Sequence, residues 1–148
     1  MSFKSQETNM RKLSALLSRD LGYIPGERES GPNGDKKVFL NVGKTFLRAL
    51  SKDLGLRDVT VSSNAAGIAV SGECSLYGMW ENGGIYVCID QMCGGRNVLL
   101  YRGIRHPKDH RGGYNHFVTR LELANMDYAT LLNRLLALRK DESYERAA

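Results

Sequence analysis

The chain has 148 residues, the size of one ordinary domain, and 42% of them are apolar, enough for a core. No apolar run approaches the roughly 20 residues that cross a bilayer, so no membrane partner is expected. The formal net charge is +5, a mild bias that favours polyanions and falls well short of a histone-like tail.

The cysteines are Cys74, Cys88 and Cys93, an odd and low count that argues against a disulfide scaffold. They fit a reducing compartment. The N-terminus, Met-Ser-Phe-Lys-Ser-Gln-Glu-Thr-Asn, lacks the apolar run of a secretory signal, so a cytoplasmic location is expected.

A helix is predicted from about Gln6 to Leu21. Met10, Leu13, Leu17 and Leu21 recur at helical spacing, Leu16 widens the stripe and Gly22 can end it. The stretch Tyr23–Lys37 holds Pro25, Gly26, Gly31, Pro32 and Gly34 and reads as a flexible linker or loop. The first segment, residues 1–22, is therefore either an arm that could mediate homo-oligomerisation or a helix docked on the same core. Residues 38–148 are expected to form the core domain.

Val38–Leu40 reads as a short strand, with Asn41 as the N-cap of a second helix. Val42, Phe46, Leu47, Leu50 and Leu54 give that helix a buried face, and Gly55-Leu56 suits a Schellman ending. The period then changes to two. Val59 and Val61 mark one strand. Ile68, Val70, Cys74 and Leu76 share one parity of the next one or two, with Gly72 as a bulge or break. Glu81-Asn82-Gly83-Gly84 is the strongest hairpin signal, because Asn-Gly accepts positive φ. Met79 and Trp80 before it either cap the sheet or form an exposed anchor. Strands follow at Ile85–Asp90 and Asn97–Arg102, separated by Cys93-Gly94-Gly95. Periodicity is lost from Gly103 to Gly113. His116–Thr119 suits a short last strand, and Asp127–Lys140 a last helix with Tyr128, Leu131, Leu132, Leu135 and Leu138 on its apolar side. The tail beyond it is expected to fray. The fold class expected is α+β, an antiparallel meander of three to five strands with two or three helices.

One segment stands apart. Arg96 to Arg120 holds six basic residues and one acidic residue, so its charge of +5 equals that of the whole chain. All three histidines lie in it. Arg96, Arg102, Arg105, Lys108, Arg111 and Arg120 are candidate phosphate contacts, and Tyr114 a candidate stacking residue. The leading functional expectation is a binding module for a polyanion, either nucleic acid or an acidic protein surface.

Two other classes compete. A metal-dependent phosphodiester hydrolase would use His106, His110 or His116 to activate water, with Asp109, Asn115 or Asp90 to orient it and the arginines to hold phosphate. Cys88, Cys93, His106 and His110 have the ligand types of tetrahedral zinc, although their spacing matches no tight motif. No cofactor is expected beyond zinc or magnesium in these two settings. The remaining class is a protein-interaction or structural protein, with contacts through Trp80 or the first helix.

Overall fold

Helix α1 (Phe3–Leu17) starts at an N-cap, where the Ser2 hydroxyl accepts a hydrogen bond from the Ser5 N–H at 3.1 Å. The computed structural model describes residues 2–19, 21–22, 34–66, 70–91, 96–109 and 113–147, the side chains after Arg139 excepted. Along α1, Met10, Leu13, Leu16 and Leu17 are buried, and so is Leu21 beyond its end. This stripe packs against α2 (Gly34–Asp53) and belongs to the one main core cluster.

Helix α2 corrects the expected strand at Val38–Leu40. These residues are its second turn, and Asn41 lies inside the helix. Phe39 lies seven residues before Phe46, so the apolar triplet is in phase with the buried face that follows. Phe39 is fully buried while Val38 remains exposed. Of the linker expected over residues 23–37, residues 34–37 are helical, and 23–33 lie outside the described residues. The helix ends as its sequence implies. Gly55 adopts φ 71°, its N–H donates to Lys52 O, and the Leu56 N–H donates to Ser51 O, both at 3.0 Å.

Five strands follow: β1 (Arg57–Asn64), β2 (Glu73–Trp80), β3 (Gly83–Asp90), β4 (Asn97–Ile104) and β5 (His116–Thr119). They form one antiparallel meander in chain order. The β2–β3 hairpin closes from Trp80 to Gly83 around Glu81-Asn82. The positive φ falls on Gly83, at 121°, and not on Asn82. Gly72 has φ 74°, and a Cβ there would sit 2.6 Å from Asn64 O, so only glycine fits where the chain enters β2.

Alternation divides the sheet into two faces. Cys74, Leu76 and Trp80, Ile85, Val87 and Ile89, Leu99, Tyr101 and Val118 lie on the first and join the core. Helical contacts run through this face. The Cys74 thiol donates to Leu40 O at 3.4 Å, and Trp80 Nε1–H donates to Leu54 O at 2.7 Å. Trp80 is thus a buried cap on the sheet. The second face carries Thr60, Ser62, Glu73, Ser75, Tyr77, Tyr86, Cys88, Asp90, Leu100, Arg102 and Phe117 in cross-strand register.

Two helices complete the chain. Helix α3 (Arg120–Asn125) was not expected. It rests on a reciprocal capping box: Thr119 Oγ1 accepts from the Glu122 N–H at 3.0 Å, and Glu122 Oε1 accepts from the Thr119 N–H at 2.9 Å. Helix α4 (Tyr128–Ala147) continues past its expected end at Lys140, through the tail that was expected to fray. At its start the Glu7 carboxylate accepts from the Tyr128 N–H. The fold is α+β, with four helices among the described residues in place of the two or three expected. None of the described helices is long and apolar enough to cross a membrane.

Candidate nucleic-acid interface

The basic segment folds as a hairpin, β4–loop–β5, running into α3. Its first and last residues therefore meet: the Arg120 N–H donates to Arg96 O at 2.8 Å. Both side chains are exposed and line a cleft of about 790 Å³ between α1 and α3. Arg11, Ser14, Ser18 and Thr119 also line it, and among the described residues no acidic side chain does. Arg11 is committed to the protein itself. Its guanidinium donates to the carbonyls of Leu123, Ala124 and Met126, which satisfies the end of α3.

Arg102 lies in the middle of β4 and is only 8% exposed. Its guanidinium sits 5.0 Å from the centroid of the Tyr86 ring and donates to Asp109 O at 2.9 Å. That side chain holds the loop against the sheet. The expected phosphate contact would have to compete with these internal partners.

At the far end of β4, residues 105–109 form a tight turn built on Asp109. Its buried carboxylate accepts from the Arg105 N–H at 3.0 Å and from Arg105 Nε–H at 3.1 Å, the second being an ion pair. The Asp109 N–H donates to His106 O, and the Lys108 N–H donates to His106 Nδ1 at 3.3 Å. Arg105 keeps most of its surface exposed, and Lys108 is exposed as well. Gly113, at φ 70°, brings the returning chain onto Gly103, where a Cβ would meet Gly103 O at 2.7 Å.

Next to this turn is a groove of about 730 Å³ at the hairpin end of the sheet. Arg57, Trp80, Arg105, His106, Tyr114 and His116 line it, with Asp58 and Glu81 as acidic members. His116 stacks on Tyr101 with ring centroids 5.0 Å apart. His106 and His116 are thus brought to one groove. Asp109 and Asn115 are not among its lining residues, and Asp109 is occupied by Arg105. His110, Arg111 and Cys93 lie outside the described residues.

The expected zinc set is not assembled as a whole. Cys88 pairs with Leu100, and His106 lies six residues further along the chain. The four steps along β4 from Leu100 to Ile104 alone carry the chain about 13 Å along the sheet, at about 3.3 Å each, far beyond a shared ion. The sheet instead places Cys88 beside Glu73 and Asp90, the one such grouping of potential ligands among the described residues. Burial pushes the Cys88 thiol up to about 12. Burial, with the nearby Glu73 charge, raises the Asp90 carboxyl to about 6.

Sequence reasoning missed two of these participants, Arg11 and Glu73. Arg11 carried no local signal, since its carbonyl partners lie more than a hundred residues away. Glu73 could have been found by counting back from the Asn-Gly hairpin, which sets it opposite Asp90. No protein-family model matches the chain, and neither a curated protein nor a solved structure is similar to it.

Proposed function

We propose that the protein is a binding module for single-stranded nucleic acid, held along the β4–β5 edge of the sheet. One observation carries this reading: exposed cations stand at both ends of that edge, with exposed aromatic side chains between them. Arg96 and Arg120 stand at one end, Arg105 and Lys108 at the other. Phe117 is 39% exposed on β5, and Tyr114 is 87% exposed just before it. The two ends are about 30 Å apart by strand rise, so they suit an extended polyanion better than a single phosphate. Arginine forks would hold the backbone while Tyr114 and Phe117 stack on bases.

The cleft with Arg96 and Arg120, whose described lining is free of acidic side chains, is the part of this surface with the clearest charge preference. The Arg96→Ala/Arg120→Ala protein should bind a labelled oligonucleotide of about 16 nucleotides more weakly than wild type. In fluorescence anisotropy, the slope of log K against log salt should fall by about 1.4, two contacts at about 0.7 each. Wild-type affinity with an unchanged slope would refute the reading. Retained binding to polyglutamate with none to DNA or RNA would redirect it to an acidic protein surface.

The hydrolase alternative gains less. It has two histidines in one groove, but Asp109 is already engaged, and no three-ligand metal group lies there among the described residues.

A further inference from the structure

We propose that Glu73, Cys88 and Asp90 form a binding site for one divalent transition-metal ion of the zinc class. The site is separate from the β4–β5 edge and does not depend on nucleic-acid binding.

Strand register builds it. Glu73 on β2 lies directly opposite Asp90 on β3, and Cys88 lies opposite Ser75. All three side chains therefore project from the second face of the sheet. Their ligand atoms lie within 4.8 Å of one another. A tetrahedral ion with bonds of about 2.0–2.3 Å needs ligand atoms about 3.3–3.8 Å apart, so closure takes a shift of about 1 Å. Rotation of side chains on a fixed ladder can supply that.

Two features of the cluster favour an ion. Asp90 Oδ1 is buried and has no hydrogen-bond partner among the described residues. Like charges directly opposite each other repel across a ladder, and Glu73 faces Asp90 in this way. Neither carboxylate joins a salt bridge among the described residues. The Cys88 thiol, 5% exposed, donates to Glu73 Oε2 at 3.5 Å, which already aims two of the ligand atoms at each other. A divalent cation would satisfy the orphaned oxygen and offset the repulsion at once.

The donor set selects the metal. One thiolate with two carboxylates is too soft for magnesium or calcium and suits a borderline ion. Three protein ligands leave a fourth position, and the half-buried Glu73 and Asp90 leave that position within reach of solvent.

Cobalt(II) is the probe, added to the full chain after treatment with a chelator and a reductant. One equivalent should give a thiolate-to-metal charge-transfer band together with the intense visible bands of a tetrahedral site. Zinc should abolish both. Cys88→Ser should lose the charge-transfer band, and Cys74→Ser should keep it, because Cys74 lies on the helix-covered face. Asp90→Asn should weaken binding at least tenfold while circular dichroism shows an intact fold. This variant keeps the test valid if Cys88→Ser fails to fold. Absence of a thiolate band, its persistence in Cys88→Ser, or wild-type affinity in a folded Asp90→Asn protein would each overturn the proposal.

Discussion

Asp90 illustrates how one side chain can set a pH dependence. Its carboxyl titrates near pH 6 in the folded, metal-free protein, because burial and then the Glu73 charge disfavour ionisation. In the unfolded chain it returns to the ordinary value of 3.8. Between these values the folded state holds more protons than the unfolded state, so stability falls as pH rises. The contribution is fully present below about pH 4 and lost above about pH 6. For a half-buried group, after solvent screening, it amounts to about 1–2 kcal/mol. Asp90→Asn should remove this dependence. Urea titrations from pH 4 to pH 7 with a chelator present should show the wild type losing stability relative to the variant across that window. Parallel pH profiles for the two proteins would count against the assignment.

At the scale of elements, local chemistry decided what could be read in advance. The hairpin at Glu81-Asn82, the Schellman turn at Gly55-Leu56 and the period-two strands from Cys74 onward each rest on neighbouring residues, and each stands in the structure, whereas Ile68 lies outside the described residues and Val70 precedes β2. The first turns of α2 were misread because an apolar triplet fits either period, and only the phase of Phe39 with Phe46 separates them. Helix α3 was missed although Thr119-x-x-Glu122 is a capping-box pattern; its six residues are too short to show periodicity. The candidate site was legible in composition but not in arrangement. Nothing local in Arg102 announces that it will lie over Tyr86, and nothing in Asp109 announces the Arg105 clamp. The capping box also yields a test. Thr119→Ala removes the acceptor for the Glu122 N–H and should cost about 0.5–2 kcal/mol in urea unfolding. It should leave the Glu122 carboxyl below its ordinary value, because the largest cause is the hydrogen bond from the Thr119 N–H, which the variant keeps. An unchanged stability would mean that the remaining contacts of α3, through Leu123, Arg11 and the Glu122–Arg134 ion pair, suffice to hold it.

For the whole molecule, the question is whether the first helix is an appendage or part of the fold. Met10, Leu13, Leu16, Leu17 and Leu21 are all in the core cluster. Burial of such side chains contributes about 1.5–3 kcal/mol each, hence about 8–15 kcal/mol for the five. That equals the whole stability expected for a domain, about 5–15 kcal/mol. Polar contacts tie the same segment to three other elements. Gln6 Nε2–H donates to Phe46 O in α2, Glu7 caps α4, and Arg11 caps α3. The Gln91 side chain, just beyond β3, donates to Leu17 O at 3.0 Å. Deleting residues 1–22 should therefore expose the faces of α2 and α4 and abolish cooperative unfolding, rather than release a stable domain. The truncated chain should lose its sharp thermal transition by circular dichroism and bind a hydrophobic dye. A cooperative melt near the wild-type temperature would show instead that residues 23–148 fold alone. Loss of the transition would also mean that the apolar stripe of α1 is spent within its own chain. Any self-association would then have to use another surface, and the exposed β1 edge with Val59 would be the next one to test.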